Sequence, residues 1–468
     1  MVKIGSLFKS SFAFATINTT NRIIRFFSFL VIARFLGPEQ FGTYSIVLAT
    51  IEIFRAISDF GIDIILVRKI SINSIRENDY VKQAFHLKFI LTLFVLIIGY
   101  SIILIFYKDP IILRGVIILS LGSFFFSFSN TLKAKFQAKL IVDKIIVPTT
   151  VLNIFYLILI YLSTKTTNNI EVLFFLQALL DISTFIWLLK LSNINKLIQI
   201  FPLQSYLIFL KNIFPLALAT GMIVIYSRIT IYFLSFLSDD KFVGYYAASY
   251  RITESTMILI SSLAASLLPL FSSLSDNNNK MLEIFLNYGR KVVILSILFF
   301  VVISSFANPI INILYSGKYN NAYTTLAILA FWIPFAAINM ILTNLIISKG
   351  KQKYIPMITT IILFINIISN LFLVRLYQSQ GAALSAVITE AVNFIIQISI
   401  VRILIKFKLK NLFPNITILF LGVIIILLII FQGNIPLFIG VFLLVSLLLI
   451  FYFTGEINRE KILELITK

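Results

Sequence analysis

The sequence predicts an all-α polytopic membrane protein of about 14 transmembrane helices. Three observations predict it. Apolar runs of about 20 residues, each able to cross a hydrocarbon core of roughly 30 Å, recur from end to end. Mean hydropathy is +1.01, and 59% of the 468 residues are hydrophobic against 12% charged, more apolar surface than a soluble fold can bury. The runs are continuous, whereas the strands of a transmembrane barrel alternate apolar and polar residues over about ten positions.

The expected spans follow in order. The first, 10–34, comes after an N-terminus with no small-residue cleavage site behind a short apolar core, so it reads as a span and not as a secretory signal. "LGPEQFG" turns the chain into 42–66, and a long basic segment, "VRKISINSIRENDYVKQAFHLK", leads to 87–107. "YKDP" precedes 111–132, "KAKFQAKLIVDK" precedes 145–164, and "STKTTNN" precedes 171–190. The basic "KLSNINKLIQIFPLQSYLIFLK" enters 209–236, and "SDDKFVG" turns into 244–272. Residues 275–291 lead to 292–314, "YSGKYNNAY" to 324–347, "KGKQK" to 355–376 and "YQSQG" to 382–402. "RILIKFKLK" opens the last pair, 412–431 and 437–454, joined by "QGNIP". The closing "GEINREKILELITK" reads as a short amphipathic helix on the cytoplasmic face.

Linkers alternate between basic and less basic. One side of the membrane, with both termini, collects 27 Lys and Arg and the other 7, which puts both termini and the basic loops in the cytoplasm. The formal net charge of +20 is thus explained by membrane topology, with no nucleic acid as partner. Cysteine is absent and His86 is the single histidine, at a span end. Thiol chemistry, a histidine metal site and a catalytic triad are excluded, and no cofactor or metal is expected.

Five cations remain, and all are arginines inside expected spans: Arg22, Arg25, Arg55, Arg228 and Arg251. A charge at the bilayer centre costs roughly 2.5–3.5 kcal/mol on insertion scales, so these residues face a partner or a water-filled cavity. Asn18, Arg22 and Arg25 fall at i, i+4 and i+7, with Asn21 and Ser28 beside them, making one polar stripe. Ser45, Glu52, Arg55, Asp59 and Asp63 make a second, and Tyr246, Tyr250, Arg251, Glu254 and Ser261 lie near one face of the eighth span. Helical spacing lets Arg55 pair with Glu52 or Asp59, and Arg251 with Glu254. Arg22 and Arg25 have no acid within one turn in their own span. They are read as lining a cavity that receives an anion, for which the planar, permanently charged guanidinium suits phosphate. Asp181 and Glu390 are intramembrane acids, each either a proton or sodium site or a partner for a buried arginine.

An internal repeat runs at a constant offset of 202: Lys9 with Lys211, Phe12 with Phe214, Ala15 with Ala217, Ile23 with Ile225, Gly42 with Gly244, and Tyr44 with Tyr246. Six spans separate the copies, an even number, so the halves point the same way, as a parallel repeat about an axis along the membrane normal.

"ARFLGPEQFGTYSIV" followed by "SDFGIDIILVRKIS" resembles the start of the polysaccharide-lipid flippases, the O-antigen or Wzx-type transporters of the multidrug, oligosaccharidyl-lipid and polysaccharide exporter superfamily. Arg34, Leu36, Gly37, Glu39, Phe41, Gly42, Asp59, Gly61, Arg68 and Lys69 carry the resemblance. It implies two six-helix lobes, 1–200 and 201–405, forming a V around a central cavity, with two further helices and a short cytoplasmic tail in 406–468. It implies alternating access and sugars on undecaprenyl pyrophosphate as substrate, with membrane lipids and other polysaccharide assembly proteins as partners in the cytoplasmic membrane. By location, the cationic cavity of related flippases would correspond to Arg22, Arg25, Arg55, Arg228 and Arg251. Two other functions are alternatives. A polymerase or ligase of the same pathway needs an outer catalytic domain or a large loop, and the outer loops are short. A multidrug–cation antiporter of the same fold needs an acidic cavity, which five buried arginines oppose.

Overall fold

The computed structural model describes residues 4–139, 141, 143–167, 169–194 and 202–406. Every long element among them is an α-helix, because a backbone in hydrocarbon must satisfy its own N–H and C=O groups. In order they are α1 Ile4–Asp59, α2 Ile62–Ile72, α3 Glu77–Phe106, α4 Pro110–Ala138, α5 Asp143–Thr166, α6 Ile170–Ser192, α7 Leu203–Leu237 and α8 Asp240–Ser273. The rest are α9 Asn278–Ile284, α10 Arg290–Ser305, α11 Ala307–Tyr315, α12 Ala322–Leu329, α13 Trp332–Ser348 and α14 Tyr354–Ile405. Among the described residues, eight helical stretches have the length and hydropathy to cross a membrane. The protein is a multi-pass membrane protein. The thirteenth and fourteenth expected spans and the C-terminal amphipathic helix lie outside the described residues.

Several boundaries differ from the sequence expectation, for identifiable reasons. "LGPEQFG" and "YQSQG" are single-residue breaks rather than loops: Gly37 (φ 73) interrupts α1 and Gln378 (φ 50) interrupts α14. The span expected at 42–66 stops at Asp59, because Phe60 and Gly61 take positive φ and α2 starts afresh at Ile62. The spans expected at 292–314 and 324–347 are each two helices. Pro309 and Pro334 fall in the first turn of the second helix of each pair, where a missing N–H does least harm. Ends are capped by side chains where the sequence offers them: Asp109 accepts from Ile111 N at 2.8 Å, and Asn169 from Glu171 N at 2.8 Å.

The chain forms two compact units, Met1–Ala247 and Ala248–Lys468, with α8 running through the boundary. In the first, α4 packs on α6, α5 on α1, and α2 on α3 and α4; α7 packs on α1 and so joins this unit, although the repeat assigns it to the second copy. Leu66, Leu132 and Leu188 are fully buried there, beside a stacked Phe85–Phe128 pair with centroids 5.0 Å apart. In the second unit, α14 packs on α12 and α13.

The repeat has a physical counterpart inside the first unit. A Cβ on Gly42 would run into the carbonyl of Asp240, and a Cβ on Gly244 into the carbonyl of Pro38. Pro38 and Asp240 are themselves 202 apart, so α1 and the start of α8 cross through one pair of repeat-related glycines. Thr43 Oγ1 donates to Asp240 Oδ2 at 2.9 Å beside the crossing.

Candidate functional site

The polar stripe of α1 faces α5. Asn21 Nδ2 donates to Thr149 Oγ1 at 3.2 Å, and Asn153 Nδ2 donates back to Asn21 Oδ1 at 3.2 Å. Arg25 Nε donates to Asn153 Oδ1 at 3.3 Å. Arg22 and Arg25 are both exposed. Among the described residues neither forms an ion pair with a carboxylate. Asn18 is on α1, but its side chain falls outside what the structure describes.

Behind this stripe lies a set of satisfied charges. Arg55 pairs with Asp181 of α6, donates to Ser123 Oγ at 3.3 Å and lies 4.0 Å from the centroid of the Phe126 ring. Asp181 is only 3% exposed. Glu52 pairs with Arg228 of α7. Arg25, Arg55, Asp181 and Glu52 are electrostatic neighbours, brought together by α1 and α6. Lys133 of α4 belongs to the same field and donates to Asn130 Oδ1 at 3.2 Å.

This corrects the expected pairing within α1. Arg55 pairs with neither Glu52 nor Asp59; it turns to α6, Glu52 to α7, and Asp59 to Lys88 of α3. The three side chains leave the helix toward different neighbours, and Asp63 sits on a separate helix, so the second stripe is not one face. The pairing expected in α8 is present: Arg251 Nη1 lies 2.8 Å from Glu254 Oε2. Tyr250 stands beside Trp332, ring centroids 5.9 Å apart. Glu390, 7% exposed, accepts from Asn339 Nδ2 at 2.5 Å and Asn393 Nδ2 at 3.0 Å. A directed chain continues along α14: Gln397 Nε2 donates to Asn393 Oδ1 at 2.9 Å, and Thr343 Oγ1 to Gln397 Oε1 at 3.0 Å. His86 meets Tyr206 by a hydrogen bond.

Lys88 and Lys133 are the residues that the sequence reading passed over. Both were counted with basic loops, yet α3 begins at Glu77 and α4 extends to Ala138, which carries them into the helix bundle. Arg68 and Lys69 follow Asp63 on the same run, so nothing local in the sequence pointed to a base on α3.

Around this stripe, among the described residues, stand the cations Arg22, Arg25, Arg55, Lys88, Lys133 and Arg228 and the acids Glu52, Asp59, Asp63 and Asp181. The acids are each held by a base other than Arg22 and Arg25. The stripe on α1 is therefore an open, positively charged surface on a satisfied scaffold, suited to an anion with two adjacent charges.

Comparison with known proteins bears on the family of the chain. The polysaccharide biosynthesis protein family matches residues 31–324. A putative O-antigen transporter of Shigella dysenteriae is 22% identical over 393 residues, covering 80% of this chain and 96% of that protein. The capsular polysaccharide biosynthesis protein CapF of Staphylococcus aureus is 25% identical over 398 residues, covering 81% and 95%. Among solved structures, the lipid II flippase MurJ in an inward closed conformation superposes with a TM-score of 0.74 at 17% identity, covering 94% of this chain and 98% of that one.

Proposed function

This chain belongs to the polysaccharide biosynthesis protein family, and from that premise we propose that it is a flippase for an oligosaccharide linked to undecaprenyl pyrophosphate. It is a membrane transporter and not an enzyme. One observation carries the choice of substrate. Arg22 and Arg25 are exposed, and among the described residues neither meets a carboxylate, while the neighbouring acids Asp181 and Glu52 are held by other bases. A pyrophosphate presents two adjacent anionic groups and accepts the paired donors of a guanidinium. The names of the relatives, an O-antigen transporter and a capsular polysaccharide protein, support sugars beyond the pyrophosphate.

In this reading the arginines of α1 receive the pyrophosphate, with Arg55 and Arg228 held behind them by Asp181 and Glu52. Polar side chains meet the sugars, and the prenyl tail stays in the bilayer. Alternating access works between the repeat halves 1–200 and 201–405, with the basic loops and both termini in the cytoplasm and 406–468 appended. The surplus of positive charge speaks against an organic cation as cargo.

The test is surface polysaccharide in cells carrying Arg22→Ala with Arg25→Ala. The expected result is loss of polysaccharide with normal membrane insertion, and partial recovery with lysine at either position, since lysine keeps the charge and loses the fork. Normal polysaccharide in the double variant would overturn the reading.

A further inference from the structure

One buried charge cluster has no task in the transport scheme above. Asp59 ends α1 and Asp63 lies in the first turn of α2. Lys88 Nζ sits 2.7 Å from Asp59 Oδ1 and 2.7 Å from Asp63 Oδ1, and donates to the Ser127 carbonyl at 3.2 Å. One ammonium thus meets two carboxylates and a backbone carbonyl. The Lys88 side chain is 0% exposed, so its charge is fixed in place. The carboxyls are less enclosed, with side-chain exposures of 33% for Asp59 and 19% for Asp63. Both carboxyls share the one ammonium, so two negative charges face a single paired positive charge.

The surroundings are polar beyond these contacts. Thr131 Oγ1 donates to Asp63 Oδ1 at 3.3 Å. Ser127 Oγ and, one turn along α3 from Lys88, Thr92 Oγ1 are buried with no partner among the described residues. The charged groups that face the pair are Lys88 from α3 and Lys133 from α4. Arg55 lies one turn before Asp59 on α1, with Asp181 of α6 on its far side, while Lys69 of α2 is drawn to the Tyr80 ring, 5.5 Å away.

We propose that Asp59, Asp63 and Lys88 form a proton-binding site that fills when an anion occupies the arginines of α1. The inference rests on the anion site proposed above. A dianion lowers the positive potential set by Arg22, Arg25 and Arg55, and that raises the proton affinity of a carboxyl pair one turn from Arg55. By linkage, a bound proton tightens the anion to the same extent. One proton from water forms one O–H bond on a carboxylate; Lys88 stays an ammonium, and nothing else is exchanged.

The experiment uses the full chain in lipid nanodiscs, with a fifteen-carbon prenyl diphosphate as probe and infrared difference spectra as readout. The expected result is a protonated-carboxyl band that appears on binding and is lost in Asp63→Asn or in Asp59→Asn. Affinity in the native protein should fall toward roughly tenfold per unit rise in pH through the titration, in excess of the dependence left in the variant. Because the native protein gives the band directly, a variant that fails to fold leaves the measurement intact. Binding with no such band, or with the band unchanged in both variants, overturns the proposal. If the probe does not bind the native protein, the anion reading fails by itself. The carboxyl band is then titrated without probe, and absence of a titrating carboxyl that Asp63→Asn removes overturns the proton site as well.

Discussion

Asp181 and Arg22 are both intramembrane charges, yet they do opposite work, and stability measurements should separate them. Asp181 is buried against Arg55, so Asp181→Asn leaves a half-buried guanidinium without its counter-charge. Breaking such a pair from one side costs about 3 kcal/mol. Arg22 is exposed and has no carboxylate partner among the described residues, so Arg22→Gln should change stability by no more than about 0.5 kcal/mol. We expect a clear drop in apparent Tm in detergent for Asp181→Asn, partial recovery in the Asp181→Asn, Arg55→Gln double variant, and no drop for Arg22→Gln. An equal drop for Arg22→Gln would mean that it too is tied into the scaffold. At this scale the sequence was readable for charge and only partly for partners. The Arg251–Glu254 contact follows from helical spacing alone. The Arg55–Asp181 and Arg228–Glu52 contacts cross between helices far apart in sequence, and nothing local specifies which acid an arginine will reach.

At the scale of elements, the apolar runs located helices well, while breaks within them depended on chemistry that hydropathy does not register. Pro309 and Pro334 could have signalled their breaks. Gln378, with φ 50, could not, since its residue type gives no warning of a left-handed conformation. The sequence offers identities at an offset of 202, but not that Gly42 and Gly244 approach the carbonyls of Asp240 and Pro38. This contact makes a symmetric prediction. Gly42→Val and Gly244→Val each force the helices apart, at about 1–3 kcal/mol for an overpacked contact. The two variants should lower apparent Tm by similar amounts and also reduce transport. Gly221→Ala is the control: nothing lies within 4 Å of a Cβ there, and alanine favours a helix. Similar Tm values for all three variants would show that the crossing tolerates side chains.

For the whole molecule the question is what drives the anion outward. Pyrophosphate carries about two negative charges, and each charge moved toward the positive side of a membrane gains roughly 2.3 kcal/mol per 100 mV. Fixed arginines do not themselves cross the field if access changes around them, so the voltage acts on the cargo. Two charges crossing the full field would gain about 5 kcal/mol per 100 mV, enough to make export strongly directional. A proton held by Asp59 and Asp63 changes the count. If it leaves with the cargo, the net charge moved falls to about one; if it returns, it stays near two. Proteoliposomes at clamped potential, with pH set separately on each side, distinguish these cases. We expect transport to accelerate when the compartment facing the basic loops is negative. Voltage sensitivity should increase in Asp63→Asn if the native proton travels with the cargo, and stay the same if it does not. A rate indifferent to voltage in both proteins would mean that a counter-ion neutralises the cargo throughout. Glu390, with its directed chain from Asn393, Gln397 and Thr343, is then the next position to test, by asking whether Glu390→Gln restores a voltage dependence.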